Sequence, residues 1–176
     1  LLIHWPNAQV PLKESIAALC DTKRRGMAKH IGISNFTTPM IAEALKLTTE
    51  PIVCNQVEYH PRLDQTKVLA ACRAANMAMV SYCPIGRGAV GGLMEDPKVV
   101  AIAKAKGKTP AQVLLRWHVQ QPGVCAIPRS SSPERIAQNL DVGSFSLSED
   151  DMKTLHALKR PDGRIVNLPI APRWDT

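Results

Sequence analysis

Five short apolar runs, nearly every one with polar residues at its C-terminal end, recur along this chain with helix-length segments between them. They span Leu1–His4, His30–Ser34, Ile52–Val57, Ala78–Tyr82 and Val124–Pro128. Runs this short and apolar on both faces read as strands covered on both sides, the mark of a parallel sheet. The intervening segments carry helical periodicity. Leu12, Ile16, Leu19 and Cys20 fall on one face, as do Val68, Leu69 and Cys72, and Met152, Leu155 and Leu158. Helix starts are expected where a capping side chain precedes a proline: Thr38-Pro39, Asp96-Pro97, Thr109-Pro110 and Ser132-Pro133. Thr109 with Gln112 and Ser148 with Asp151 have capping-box spacing, and Gly26 reads as a helix stop.

The order is βαβαβαβ, a glycine-bearing loop, two helices, a strand and two more helices. This alternation leaves two α/β architectures, an open doubly wound sheet and a (β/α)8 TIM barrel. The polar strand ends favour the barrel: His4, Ser34-Asn35, Asn55-Gln56, Tyr82 and Arg129-Ser130 would converge on one face. No G-x-G-x-x-G follows a strand, as a doubly wound dinucleotide site would need. Eight strands take roughly 250 residues. A chain of 176 residues is therefore expected to be a partial barrel, the last five strands with their helices. Residues 1–176 then form the C-terminal portion of a single barrel domain whose first three strands lie upstream of Leu1.

Composition narrows the function. No apolar run is long enough for a membrane span, and the first residues lack the features of a signal peptide. Five scattered cysteines without a C-x-x-C pair argue against a disulfide framework and against a metal site. A cytoplasmic location with reduced thiols is expected. The formal charge of +7 is spread along the chain and aromatics make up only 4%, a poor platform for nucleic acid. An anionic small ligand accounts for a local part of this charge and solvated surface for the rest.

Leu-Leu-Ile-His-Trp-Pro at 1–6, Gly32-Ile33-Ser34-Asn35-Phe36, Asn55-Gln56-Val57-Glu58-Tyr59-His60-Pro61, Ser81-Tyr82-Cys83-Pro84-Ile85-Gly86 and Ile127-Pro128-Arg129-Ser130 stand in order and in register. With these motifs the chain resembles the aldo-keto reductases, and among them the bacterial 2,5-diketo-gluconate reductase type. The resemblance implies NADPH as cofactor and a small-molecule carbonyl substrate, reduced to an alcohol. It makes His4 the group that orients the substrate carbonyl and Trp5 a wall of the substrate pocket. It gives Ser34, Asn35 and Gln56 to the nicotinamide carboxamide, whose acceptor and two donors suit hydroxyl and amide partners. It puts Tyr82 against the nicotinamide ring.

The segment Cys83, Pro84, Ile85, Gly86, continuing to Gly92, matches the loop over the pyrophosphate. Arg87 within it reads either as a phosphate contact or as a solvated loop arginine. Arg129, Ser130, Ser131 and Arg135 match the holder of the adenosine 2′-phosphate, and Gln138 and Asn139 match positions near the adenine. Arg129 stands where lysine is frequent in the family, which keeps the charge.

The family's general acid is a tyrosine tuned by Lys and Asp, and all three belong upstream of Leu1. Tyr59 and Tyr82 are the only tyrosines here and neither sits in that motif. The chain alone is thus expected to be inactive, and the full-length protein to be a monomer. A non-catalytic NADPH-binding regulatory subunit and an inactive fragment stay open as alternatives.

Overall fold

The computed structural model describes residues 1–88 and 92–175. Its strands are β1 (Leu2–Ile3), β2 (Ile31–Ser34), β3 (Ile52–Glu58), β4 (Ala78–Tyr82) and β5 (Val124–Ala126). They form one parallel sheet in the order β1-β2-β3-β4-β5. Each strand neighbours the next in sequence, as in a singly wound (β/α)8 wall. A doubly wound sheet would reverse its order at a switch point. Seven α-helices lie among the described residues: α1 (Leu12–Arg24), α2 (Thr38–Leu47), α3 (Thr66–Ala74), α4 (Pro97–Lys106), α5 (Pro110–Val119), α6 (Pro133–Leu140) and α7 (Glu149–His156). None of them is long and apolar enough to cross a membrane.

The strands are shorter than the apolar runs suggest. β5 stops at Ala126 because Pro128 has no N–H to give. β2 is buried along its whole length, as a strand covered on both faces should be. In β4 only Met79 and Ser81 are buried, so that strand alternates instead. Close approach of the first three strands depends on Gly32. A Cβ there would sit 2.5 Å from Leu2 Cδ2 and 2.8 Å from Cys54 Sγ.

Side-chain caps from Asp96, Thr109 and Ser132 open α4, α5 and α6, each ahead of a proline. Both capping boxes, at Thr109/Gln112 and Ser148/Asp151, are formed. Gly26 ends α1 with φ +71°. Thr38 behaves differently: the cap position is Thr37, and Thr38 and Pro39 are the first helical residues of α2.

By its contacts the chain divides into two compact units. The first comprises Leu1–Val57, Gln65–Val80 and Val166–Thr176, and the second Glu58–Asp64 and Ser81–Ile165. In the first, α1 packs on α2 and α2 on α3. Their buried residues Ile16, Leu19, Ile41, Ala44, Val68 and Cys72 build a core with Ile31, Ile33 and Phe36. In the second, α5 packs against α4, α6 and β5. Trp117, 1% exposed, anchors that core, its ring 4.8 Å from Tyr59 and 5.1 Å from His156. Burying an aromatic of this size is among the largest single contributions a core residue makes.

Candidate functional site

The first unit brings His4, Ser34, Asn35 and Gln56 together through strand register. Irregular pairing in β2 between Ile31 and Ile33 sets Ser34 opposite Gln56 of β3. Ser34 Oγ donates to Gln56 O (2.7 Å), and Asn35 N donates to the same carbonyl (2.9 Å). Asn35 Nδ2 donates to His4 O at 2.9 Å and to Ser34 Oγ at 3.1 Å. Asn35 adopts φ +63°, a left-handed conformation that asparagine tolerates better than most residues. The local turn and the polar cluster are thus one device: Asn35 ties the end of β1 to the end of β2.

Ser34 and Asn35 are both 1% exposed, whereas the Gln56 side chain is half-exposed. The hydroxyl hydrogen of Ser34 is already given to the backbone. Gln56 is therefore the member of the set best able to reach a carboxamide. His4 is exposed, its ring 6.3 Å from Trp5, and Trp5 meets Trp174 edge-on at 6.1 Å. Sequence motifs gave no hint of Trp174, because that contact spans almost the whole chain.

The second unit carries a cavity of about 1110 Å³. Cys83, Pro84, Ile85 and Arg87 line it, together with Arg129, Ser130, Ser131, Arg135, Gln138 and Asn139. Cys83 and Arg87 both have positive φ, +50° and +59°, as does Gly86 at +72°, which folds this segment into a tight turn. Residues 89–91 of the same loop lie outside the described residues.

Arg87 lines the cavity, and the Cys83 side chain favours the charged form of its guanidinium. Arg129 and Arg135 are exposed at the start of α6, where Ser132 Oγ accepts from Arg135 N at 3.3 Å. Three guanidiniums, two serines and a helix N-terminus make a donor set suited to a phosphate dianion. Gly86 is buried against Leu93, whose Cβ would lie 3.2 Å from an added Cβ.

Tyr82, at the end of β4, is half-buried. Its phenol is pushed up to about 12, first by burial and then by the charge of Glu58, with Arg164 opposing. Sequence reasoning passed over Glu58, which is wholly buried. A carboxylate inside an otherwise ordinary strand motif was the signal that could have marked it. Among the described residues no group of histidine, cysteine and carboxylate side chains is placed to hold a metal ion.

The aldo/keto reductase family model matches residues 1–160. An aldo-keto reductase of Mycobacterium avium is 41% identical over 171 residues, covering 96% of this chain and 58% of that protein. A structure described as a 2,5-diketo-D-gluconic acid reductase B superposes with a TM-score of 0.96 at 44% identity, covering 100% of this chain and 62% of the other. A variant of Gox0644 solved in complex with NADPH superposes with a TM-score of 0.86 at 36% identity, over 98% and 63% of the two chains. The chain spans about three-fifths of the length of each of these relatives. It belongs to the aldo/keto reductase family.

Proposed function

We propose that this chain is the cofactor-holding part of an NADPH-dependent carbonyl reductase of the cytoplasm, acting as a portion of one barrel domain on a small aldehyde or ketone. The observation that carries the reading is the cavity of the second unit with Arg87, Arg129 and Arg135 on its walls. Their fixed charge and the serines beside them fit the 2′-phosphate that separates NADPH from NADH. The NADPH complex of a relative supports the same choice.

NADPH, when bound, supplies hydride to the carbonyl carbon. The side chains of this protein do the rest of the work assigned to it. Gln56 binds the carboxamide and Tyr82 offers its ring face to the nicotinamide. Exposed His4 donates a hydrogen bond to the carbonyl oxygen as negative charge grows there. Trp5 walls the substrate.

Neither tyrosine is set up to deliver the proton. Tyr59 is buried and its hydroxyl donates to Gln121 Oε1 at 3.0 Å. Tyr82 holds its proton up to about 12, far from the poise a general acid needs near neutrality. We read the chain by itself as a binder without turnover.

Calorimetric titration of the chain tests this. NADPH should bind at least tenfold more tightly than NADH, and no reduction of a test aldehyde should accompany it. Equal affinity for the two cofactors, or no binding of either, overturns the reading.

A further inference from the structure

The first unit holds a cavity of its own, of about 340 Å³. β1 contributes Ile3 to it, α1 contributes Leu12 and Ser15, and α2 contributes Met40. Residues of two helices share the lining with Ile3, so the cavity lies on the helix side of the sheet. His4 and Trp5, the next residues along the chain, do not line it. That division is the one expected of a strand, whose successive residues face opposite sides.

The C-terminal segment completes the lining with Ile170, Ala171 and Pro172. It is held there by two bonds from Thr38 to Asp175, at 2.9 and 2.8 Å, and by the turn bond from Ala171 N to Leu168 O at 2.9 Å. Thr38 opens the same helix that supplies Met40. The walls are therefore fastened to one another.

The lining is apolar. None of the described residues that form it carries a charge. Its polar side chains are Asn7 and Ser15, and Asn7 Oδ1 already accepts from Gln9 N at 2.9 Å. Ser15 is left to orient a ligand. Val10 and Ile170 are 39% and 59% exposed, so apolar side chains mark where the cavity opens to solvent. The volume falls at the lower end of the roughly 300–1,000 Å³ of small-molecule sites. It is more than twice the ~150 Å³ of an apolar cavity that holds benzene.

We propose that this cavity is a binding site for an uncharged, mainly hydrocarbon molecule the size of two fused rings, bearing one hydroxyl or carbonyl oxygen. Burial of the hydrocarbon against Ile3, Leu12, Phe36 and Met40 supplies the affinity, and the oxygen meets Ser15. A charged molecule is rejected, because no partner for its charge lines the cavity and its desolvation goes uncompensated. The site is separate from the cofactor cavity, whose lining belongs to the other unit, and it does not rest on the function proposed above. The C-terminal segment that lines it also lays Trp174 edge-on to Trp5 at 6.1 Å. An occupant thus bears on the proposed substrate wall from outside it.

Calorimetric titration of the whole chain at neutral pH tests this, with 2-naphthol as the probe and 2-naphthoate as the charged counterpart on the same rings. 2-Naphthol should bind about tenfold more tightly than 2-naphthoate, or better. Methyl NMR should place it, with shifts at Ile3, Leu12 and Ile170 and none at Ile85 and Ile127 of the cofactor cavity. Ala171→Phe fills the space and should abolish binding. Ser15→Ala, which leaves every wall in place, should weaken 2-naphthol about threefold, the worth of one neutral hydrogen bond. It should leave naphthalene, which has no oxygen, unchanged.

No binding of 2-naphthol, equal affinity for 2-naphthoate, or shifts confined to the cofactor cavity overturns the proposal. So does an Ala171→Phe variant that binds 2-naphthol as the parent does. A Ser15→Ala variant with the parent's affinity for 2-naphthol overturns the role of the hydroxyl.

Discussion

Asp175 caps the helix that begins at Thr38. Its Oδ2 accepts from Thr38 N at 2.9 Å and its Oδ1 from Thr38 Oγ1 at 2.8 Å. The first N–H groups of a helix have no partner within it, and α2 has no side-chain bond from its own cap residue, Thr37. A carboxylate there also meets the positive end of the helix dipole. The bond does two things at once: it closes α2 and fastens the segment that lays Trp174 against Trp5.

Asp175→Ala should therefore destabilise the chain by about 1 kcal/mol, in the usual range for a lost cap. Thermal melts followed by circular dichroism check this, with Asp175→Asn expected to retain part of the loss. An unchanged midpoint in Asp175→Ala would show that water replaces the carboxylate without cost.

Gly163 is constrained by space. A Cβ there would lie 1.9 Å from Arg62 O and 2.7 Å from its carbonyl carbon. Both neighbours are backbone, so nothing flexible can yield. Gly163→Ala should cost more than about 2 kcal/mol, the upper part of the range for overpacking. It should also loosen Ile165 N from Glu58 Oε1, which accepts from it at 2.7 Å. Denaturant unfolding measures the first effect, and faster amide exchange at Ile165 the second. A variant as stable as the parent would place this segment elsewhere than described.

Much of this was legible from local chemistry. Asp96, Thr109 and Ser132 cap their helices from one position away, so sequence spacing is enough to find them. The residue types of the polar strand ends could be read in the same way. What could not be read was how they are used. Ser34 gives its hydrogen to Gln56 O and Asn35 its amide to His4 O, and both bonds depend on register between strands. Thr38 misled by one position because its true partner lies 137 residues away. Glu58 was missed for a related reason. Its partners Arg164 and Ile165 come from the far end of the second unit, and no spacing rule connects them.

His118 predicts an acid limb of stability. It is wholly buried, with Nδ1 2.8 Å from Leu114 O and Nε2 3.0 Å from Tyr59 O. Carbonyl oxygens only accept, so a neutral ring can satisfy one of the two. Burial nonetheless wins and holds the imidazole down at about 4, against 6.5 for an ordinary histidine, with the two carbonyl contacts opposing and His60 adding to the depression.

Above pH 6.5 the ring is neutral in both folded and unfolded chains and contributes no pH dependence. Between 6.5 and 4 the unfolded chain binds the extra proton, so stability falls as pH falls. The full loss is on the order of 3 kcal/mol, at roughly 1.4 kcal/mol per pH unit. His156, depressed by burial and by Lys159, adds to the same limb. Unfolding free energies measured from pH 7 to 4 should show the decline, and His118→Gln should flatten most of it. A His118→Gln profile parallel to the parent's would assign the acid limb to other groups.

Arg135 supplies the sharpest test of the cofactor assignment. It stands in the first turn of α6 on the wall of the cavity, with Arg129 and Ser130 beside it. A charge-assisted hydrogen bond is worth roughly 1.5–3 kcal/mol, and the exposure of this side chain favours the lower end because solvent screens it. One decade of affinity is about 1.4 kcal/mol. Arg135→Ala should therefore weaken NADPH about tenfold and leave NADH nearly unchanged, since the contact exists only with the 2′-phosphate. The preference should also shrink as salt rises, because ionic screening acts on the same exposed charges. Arg135→Lys should restore part of the affinity through charge but not all of it, lacking the planar fork that grips two phosphate oxygens. Equal losses for NADPH and NADH in Arg135→Ala would move the phosphate away from α6 and leave the cavity without its assigned ligand.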